Sequence, residues 1–237
     1  MTNEGQGESN MKTKSDDSTP DKIDVTAGYI LHRVPCFGYV LQESSLPGSL
    51  DAKICKSLGV EPGPDFGRLK AGNSVTTEAG KVVQPSDVIG PPRPGRKLGF
   101  LGDTHDASPM AHLLLDVDLL VHEATLEDAM KEKALQTGHS TPSMAVRYAL
   151  SVSAKRLALN HFSPRYKPLT GTPANDLSGP ADYSKGAASG DESEVSSVDI
   201  LKRDAEAALK SQDATAACQL IMADDYGEID IPPLHNQ

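Results

Sequence analysis

No stretch of the 237 residues approaches the roughly 18 consecutive apolar positions of a membrane-spanning helix, which excludes an integral helical membrane protein. The first 24 residues carry six acids and three bases with no apolar core, the opposite of a secretory signal or an Arg-rich transit segment. HExxH, CxxC and P-loop patterns are all missing, so no compact motif for zinc, redox or nucleotide chemistry is present. Cysteine is scarce. Cys36, Cys55 and Cys218 fall at wide, unrelated spacings and read as reduced thiols packed as small hydrophobes. An intracellular setting, cytoplasmic or nuclear, is therefore expected. No internal repeat is visible.

What the chain has in excess is acid, 33 Asp and Glu against 23 Lys and Arg, for a net charge of −10. The excess is uneven. Residues 169–237 hold 13 acids and four bases, whereas residues 25–101 hold nine bases and six acids and are the only net-positive stretch. A charge of −10 argues against indiscriminate nucleic-acid binding, but Lys53, Lys56, Arg68, Lys70, Arg93, Arg96 and Lys97 could face a phosphate backbone. On composition alone, a solvated surface is the favoured reading of these residues.

Residues 1–24 are polar, without aromatics, and are expected to be a disordered tail. A second low-complexity run, 169–197, is rich in Gly, Ser, Pro and acids and reads as a linker. Between them, 29–33 and 38–43 read as strands, 49–58 as a short helix, and the Gly/Pro-rich EPGPDFGRLKAGN as loop. Three apolar runs follow, each ending in polar residues: LGFL before Gly102-Asp103-Thr104, DLLV before His122-Glu123-Ala124-Thr125, and RLALN before His161-Phe162-Ser163. Helical patterns near 107–116, 125–136 and 142–152 separate them. Strands alternating with helices imply βαβ units and a largely parallel sheet. Chemistry in such sheets gathers beyond the carboxyl ends of the strands, where all three polar clusters fall.

Imidazole and carboxylate are a ligand set for zinc, and two ions sharing a carboxylate make a phosphodiesterase-type site. Simpler readings exist for each residue. Asp103 and Thr104 could cap a helix beginning near Ala107, and Ser140 or Thr141 before Pro142 is a good helix start. His122 and His161 could be core histidines bonded to backbone. The convergence of the clusters on one sheet edge is what the separate simple readings do not require.

The wording of the clusters is itself distinctive. LHRVPCFGYVLQE (31–43), VEPGPDFGRLKAG, LGDT, VHEAT, GHST and HFSPRY occur in the order found in ribonuclease Z, the zinc-dependent endonuclease that trims the 3′ end of precursor tRNA within the metallo-β-lactamase superfamily. The chain resembles that family over about 27–168, and CQLIMADDYGEIDIP resembles its last strands. The resemblance implies His32 and His161 as zinc ligands and Asp103 as the carboxylate bridging two Zn²⁺ ions. It implies His139 as the acid that protonates the leaving oxygen, oriented by Glu123. An imidazolium held by a carboxylate suits that task near neutral pH. Residues about 43–76 would form an arm gripping tRNA, with Lys53, Lys56, Arg68 and Lys70 as its contacts. Arg165 is a further phosphate contact, or a brace for the His161 loop.

The family's HxHxDH motif is absent from these 237 residues, and no histidine precedes His32. The resemblance then leaves each ion two protein ligands, where catalytic zinc ordinarily has at least three and water. Two readings follow. The chain is the C-terminal half of a precursor-tRNA-processing enzyme whose active form needs an N-terminal half or a dimer partner supplying HxHxDH, or it is a non-catalytic tRNA-binding or dimer-partner module. Retention of Asp103, Glu123, His139 and His161 favours the first. The fold expected is α/β, mainly the C-terminal half of an αββα sandwich, with residues 198–237 completing the sheet as a helix and strands. Such a half should leave one sheet face bare.

Overall fold

The computed structural model describes residues 22–167 and 197–232. In chain order its elements begin with strands β1 (Ile23–Ile30) and β2 (Cys36–Glu43) and helices α1 (Ala52–Ser57) and α2 (Pro64–Lys70). Short strands β3 (Val75–Thr76) and β4 (Val82–Val83), helix α3 (Pro85–Val88) and strand β5 (Lys97–Leu101) come next. Then follow α4 (Ala111–Leu114), β6 (Leu119–Glu123), α5 (Lys131–Thr137), α6 (Pro142–Ser151), β7 (Arg156–Asn160), α7 (Val198–Ser211) and β8 (Gln219–Met222). These residues divide into two compact units.

The larger unit comprises Asp24–Gln42 and, from Arg96 onward, the rest of the described chain. Its sheet runs β1-β2-β5-β6-β7-β8. β2 pairs antiparallel with β5, while β5, β6, β7 and β8 are parallel, which is the mixed α/β sheet expected from the alternating pattern. Register divides its residues between two faces. Val40, Gly99, Leu120 and Leu157 form a row toward the core, joined by Leu114, Ala145, Val146, Ala149, Ala205 and Leu209 from α4, α6 and α7. Gly99 permits this close packing, because a Cβ there would lie 2.3 Å from Leu114 Cδ2. The neighbouring row, Tyr39, Phe100, Val121, Ala158 and Ile221, faces the opposite side. Tyr39 and Phe100 are exposed while Ala158 is buried, so among the described residues this second face is open on its β2–β5 side.

The smaller unit includes Glu43–Gly95 and has its own core of Cys55, Val60, Leu69, Val75, Val83 and Val88. It continues past the expected arm boundary at 76, because Val83 and Val88 complete that core. The Gly/Pro-rich segment expected as loop contains α2. Pro64 begins the helix, where a missing N–H costs nothing. Asp65 in its first turn and Arg68 and Lys70 in its last complement the helix dipole, which the Gly/Pro count concealed.

Other boundaries differ slightly. β1 begins at Ile23, inside the tail expected to run to residue 24, since the β-branched residues of IDVTAGYI extend it. The pattern at 107–116 yields a 3₁₀ turn (Ser108–Met110) and one turn of α-helix, and 125–136 likewise begins with a 3₁₀ turn (Asp128–Met130). The 169–197 linker and the tail up to residue 21 lie outside the described residues, apart from Ser197, which caps α7. Cys55 and Cys218 are buried, and desolvation pushes the Cys218 thiol up to about 11 and raises Cys55 as well, so both are inert. No helix among the described residues is long and apolar enough to cross a membrane.

Candidate metal and acid–base site

Four ligand-type side chains, Asp103, Glu123, His139 and His161, bring one donor atom each within 4.8 Å of one another. They come from the segments that follow β5, β6, α5 and β7, with Glu123 as the last residue of its strand. Parallel β5, β6 and β7 deliver three of the four to one edge, as the alternating pattern required.

Glu123 is the centre of the group and is 1% exposed. Its Oε1 accepts from the Thr104 amide at 2.8 Å and from His139 Nδ1 at 2.8 Å. Its Oε2 accepts from the Thr125 amide at 3.2 Å and the Thr125 hydroxyl at 2.5 Å. All four lone-pair sites of the carboxylate are thereby used, which fixes its plane and the His139 ring with it. With the His139 Nδ1–H committed to Glu123, Nε2 is left to exchange a proton with a substrate.

His32 joins from the turn between β1 and β2. Its ring centroid lies 5.0 Å from that of His139, and its Nδ1 is 2.7 Å from the Gly138 carbonyl oxygen. Donation by Nδ1–H to that carbonyl leaves Nε2 as a bare lone pair. Gly138 closes α5 at φ +81°, and a Cβ there would lie 2.7 Å from His32 Nδ1, so this position requires glycine on two counts.

His161 stacks on His139 with centroids 5.4 Å apart, and its Nδ1 is 3.5 Å from Asp103 Oδ1. Its backbone is left-handed, φ +55°, a conformation that costs free energy for a residue with a Cβ. Two amide bonds hold the turn in place: Ala124 N–H to Asn160 O at 3.0 Å and Ser163 N–H to Thr125 O at 3.1 Å. Beneath the site, Ser140 Oγ donates to Thr104 O at 2.6 Å and Thr104 Oγ1 donates to Leu31 O at 2.8 Å, tying together the segments that carry His139, Asp103 and His32.

The simpler roles are answered by this geometry. Asp103 makes no cap for the 3₁₀ turn at Ser108, whose flanking residue is Ala107. Thr141 is the N-cap residue of α6, but its hydroxyl makes no cap bond. Arg165 is exposed and its Nη1 lies 3.0 Å from Met130 Sδ, so it stands with neither the carboxylates nor the imidazoles. Lys53 and Lys56 on α1 and Arg68 and Lys70 on α2 are exposed in the smaller unit. Thr104 and Thr125 bond the buried carboxylate, and sequence reasoning gave neither a role of its own. The signal for them is a hydroxyl residue close behind each acid.

His122 remains a core histidine. It is buried, and its Nδ1 lies 2.7 Å from the Glu123 carbonyl. Desolvation lowers its pKa, partly offset by that backbone bond. The unfolded chain therefore takes up a proton near the ordinary imidazole value of about 6.5 while the folded chain does not. Stability from this group is complete above about pH 6.5 and declines below it, with a limiting slope of about 1.4 kcal/mol per pH unit until the folded value is reached. Denaturant midpoints between pH 7 and 5 should fall more gently in His122→Asn. An unchanged slope would remove this assignment.

An α/β sheet that collects imidazoles and carboxylates at the ends of its parallel strands offers a candidate metal-binding group at the place where such sheets carry their sites. Known proteins narrow the class. The chain is 40% identical over 210 residues to zinc phosphodiesterase ELAC protein 1 of Homo sapiens, covering 88% of this chain and 51% of that protein. It is 46% identical over 145 residues to ribonuclease BN of Cronobacter sakazakii, covering 61% and 48%, and 45% identical over 135 residues to ribonuclease Z of Myxococcus xanthus, covering 57% and 44%. The resemblance to ribonuclease Z read from the ordered motifs is thus shown over most of the sequence. The chain spans about half the length of the curated relatives it matches. A solved human tRNase Z, short form, aligns at 30% identity with TM-score 0.37 over 60% of this chain and 38% of that one. No protein-family model matches.

Proposed function

We propose that the chain supplies the acid–base pair and part of the metal shell of a zinc-dependent endoribonuclease that removes the 3′ trailer from precursor tRNA. The observation that carries this reading is the meeting of Asp103, Glu123, His139 and His161 within 4.8 Å, on motifs that resemble ribonuclease Z in residue and order. His32, Asp103 and His161 would hold zinc, with Asp103 shared between two ions. The donor set fits. His32 has its Nδ1 on a backbone carbonyl, the outer partner typical of ligating histidines, and a carboxylate lies beside the second imidazole. When bound, such ions polarise a phosphoryl oxygen and lower the pKa of water.

The remaining chemistry belongs to the chain itself. A departing 3′-oxygen is strongly basic and requires a proton as the P–O bond breaks. His139 presents Nε2 for this transfer, and Glu123 stabilises the imidazolium through Nδ1 at 2.8 Å. Since His32, Asp103 and His161 are too few for two catalytic ions, the reading includes an HxHxDH-bearing polypeptide, either an N-terminal half or a dimer partner. The purified chain should carry zinc far below two equivalents. Mixed with that polypeptide, it should reach two and release the trailer from precursor tRNA. A fully zinc-loaded mixture that leaves precursor tRNA intact would refute the reading.

In the smaller unit, Lys53, Lys56, Arg68 and Lys70 would bind tRNA phosphates. Changing all four to Gln should weaken binding and flatten its salt dependence, with the slope of log K against log salt reduced by about 0.7–0.9 for each cation replaced. An unaltered slope would remove the arm assignment.

A further inference from the structure

The hydroxyl of Thr125 sits between the two imidazoles and the buried acid. Oγ1 is 2.5 Å from Glu123 Oε2, 2.9 Å from His161 Nδ1 and 3.3 Å from His139 Nδ1, and 3.1 Å from the His161 carbonyl. A hydroxyl has one proton and two lone pairs. A carboxylate oxygen can only accept, and the shortest of these contacts is to Glu123, so the proton lies there in a charge-assisted bond. The lone pairs then face His161, whose Nδ1 must donate. The other polar neighbour of that nitrogen, Asp103 Oδ1, is 3.5 Å away, beyond good hydrogen-bond length. The 2.9 Å contact with Thr125 is therefore what places the imidazole proton on Nδ1 and leaves Nε2 bare.

We propose that Thr125 is a positioning residue that couples His161 to Glu123, so that one buried carboxylate sets the tautomer of both the acid His139 and the metal-ligand candidate His161. The chain of bonds runs from His161 Nδ1–H to Thr125 Oγ1, from Thr125 Oγ1–H to Glu123 Oε2, and from His139 Nδ1–H to Glu123 Oε1. It also explains how His161 is held at a left-handed backbone position beside its partner, since the Thr125 side chain bridges the segments after β6 and β7. Nothing in the acid role of His139 requires Thr125. The coupling rests on the site reading above only in taking His161 as a metal ligand.

The test reads the proton directly. Long-range ¹H–¹⁵N spectra of the full chain, labelled at histidine and recorded near pH 8.5, well above the ordinary imidazole range, distinguish Nδ1–H from Nε2–H. Wild type should show His161 as a single Nδ1–H tautomer. Thr125→Ser, which keeps the hydroxyl, should match it, and Thr125→Val, nearly the same shape without the hydroxyl, should give a tautomer mixture at His161 while His139 remains on Nδ1. A wild-type His161 protonated on Nε2 overturns the proposal, as does a Thr125→Val protein that keeps the single tautomer. The wild-type spectrum decides even if the Val variant fails to fold. Zinc content, measured separately, bears on the nuclease reading and not on this coupling.

Discussion

Replacing His139 with Ala in the completed enzyme should lower turnover by about 10²–10⁴-fold while leaving tRNA affinity within about threefold, the signature of a group acting only in the transition state. The His139 side chain is 15% exposed and spends Nδ1 on Glu123, so it presents little surface to a bound substrate. The tRNA contacts proposed for Lys53, Lys56, Arg68 and Lys70 belong to a different unit and should be unaffected. A sharper comparison uses precursor tRNA with sulfur in place of the bridging 3′-oxygen. A thiolate leaves without a proton, so the penalty of His139→Ala should largely vanish with that substrate. An equal penalty on both substrates, or a parallel loss of binding, would show that His139 is not the acid.

Glu123 explains why its pairing with His139 is legible in the sequence and the shell around that pair is not. The sequence presents Glu123 and His139 in separate motifs 16 positions apart, and only the parallel pairing of β5 with β6 brings Thr104 to the carboxylate oxygen that His139 also bonds, while Thr125 closes on the other from two residues along the same segment. Alternation of apolar runs and helical patterns is enough to place β5, β6 and β7 in one parallel sheet, and hence their terminal residues on one edge. It cannot place His32, which reaches the site because Gly138 adopts φ +81° and offers its carbonyl oxygen, a backbone property with no periodic signature. Composition misled at α2, where two glycines and two prolines in EPGPDFG outweighed the dipole-matched charges that make seven residues helical. The Thr125 bridge was hidden for a similar reason. Its partners on Glu123 and His161 are set by the ends of β6 and β7, and a threonine two residues beyond an acid is common in any loop.

The open β1–β2–β5 side of the sheet carries the second large effect. Tyr29, Phe37, Tyr39 and Phe100 are 48%, 48%, 47% and 37% exposed, and Tyr29 packs edge-on against Phe37 with centroids 6.4 Å apart. Four aromatic side chains of about 150–250 Å² each, somewhat under half exposed, present on the order of 300–400 Å². At about 25 cal/mol per Å², covering it gains roughly 8–10 kcal/mol. That is within the 4–15 kcal/mol range estimated for the cost of association, so the patch alone drives weak, concentration-dependent contact and no unique dimer. Partly buried Leu41, Leu98, Val121 and Ile221 extend the same face across the register and enlarge the gain for any partner that covers the whole sheet. The isolated chain should therefore bind a hydrophobic dye strongly and show sedimentation that shifts with concentration. Phe37→Ser with Phe100→Ser should reduce both by severalfold without altering helix content, because neither side chain belongs to the buried core. Adding the HxHxDH-bearing polypeptide should suppress dye binding in step with zinc uptake, since the layer that covers the aromatics would also complete the metal shell. A chain that stays monomeric at tens of micromolar with the dye response of an ordinary globular protein would show that this face needs no cover, and the half-sandwich account of the site would fall with it.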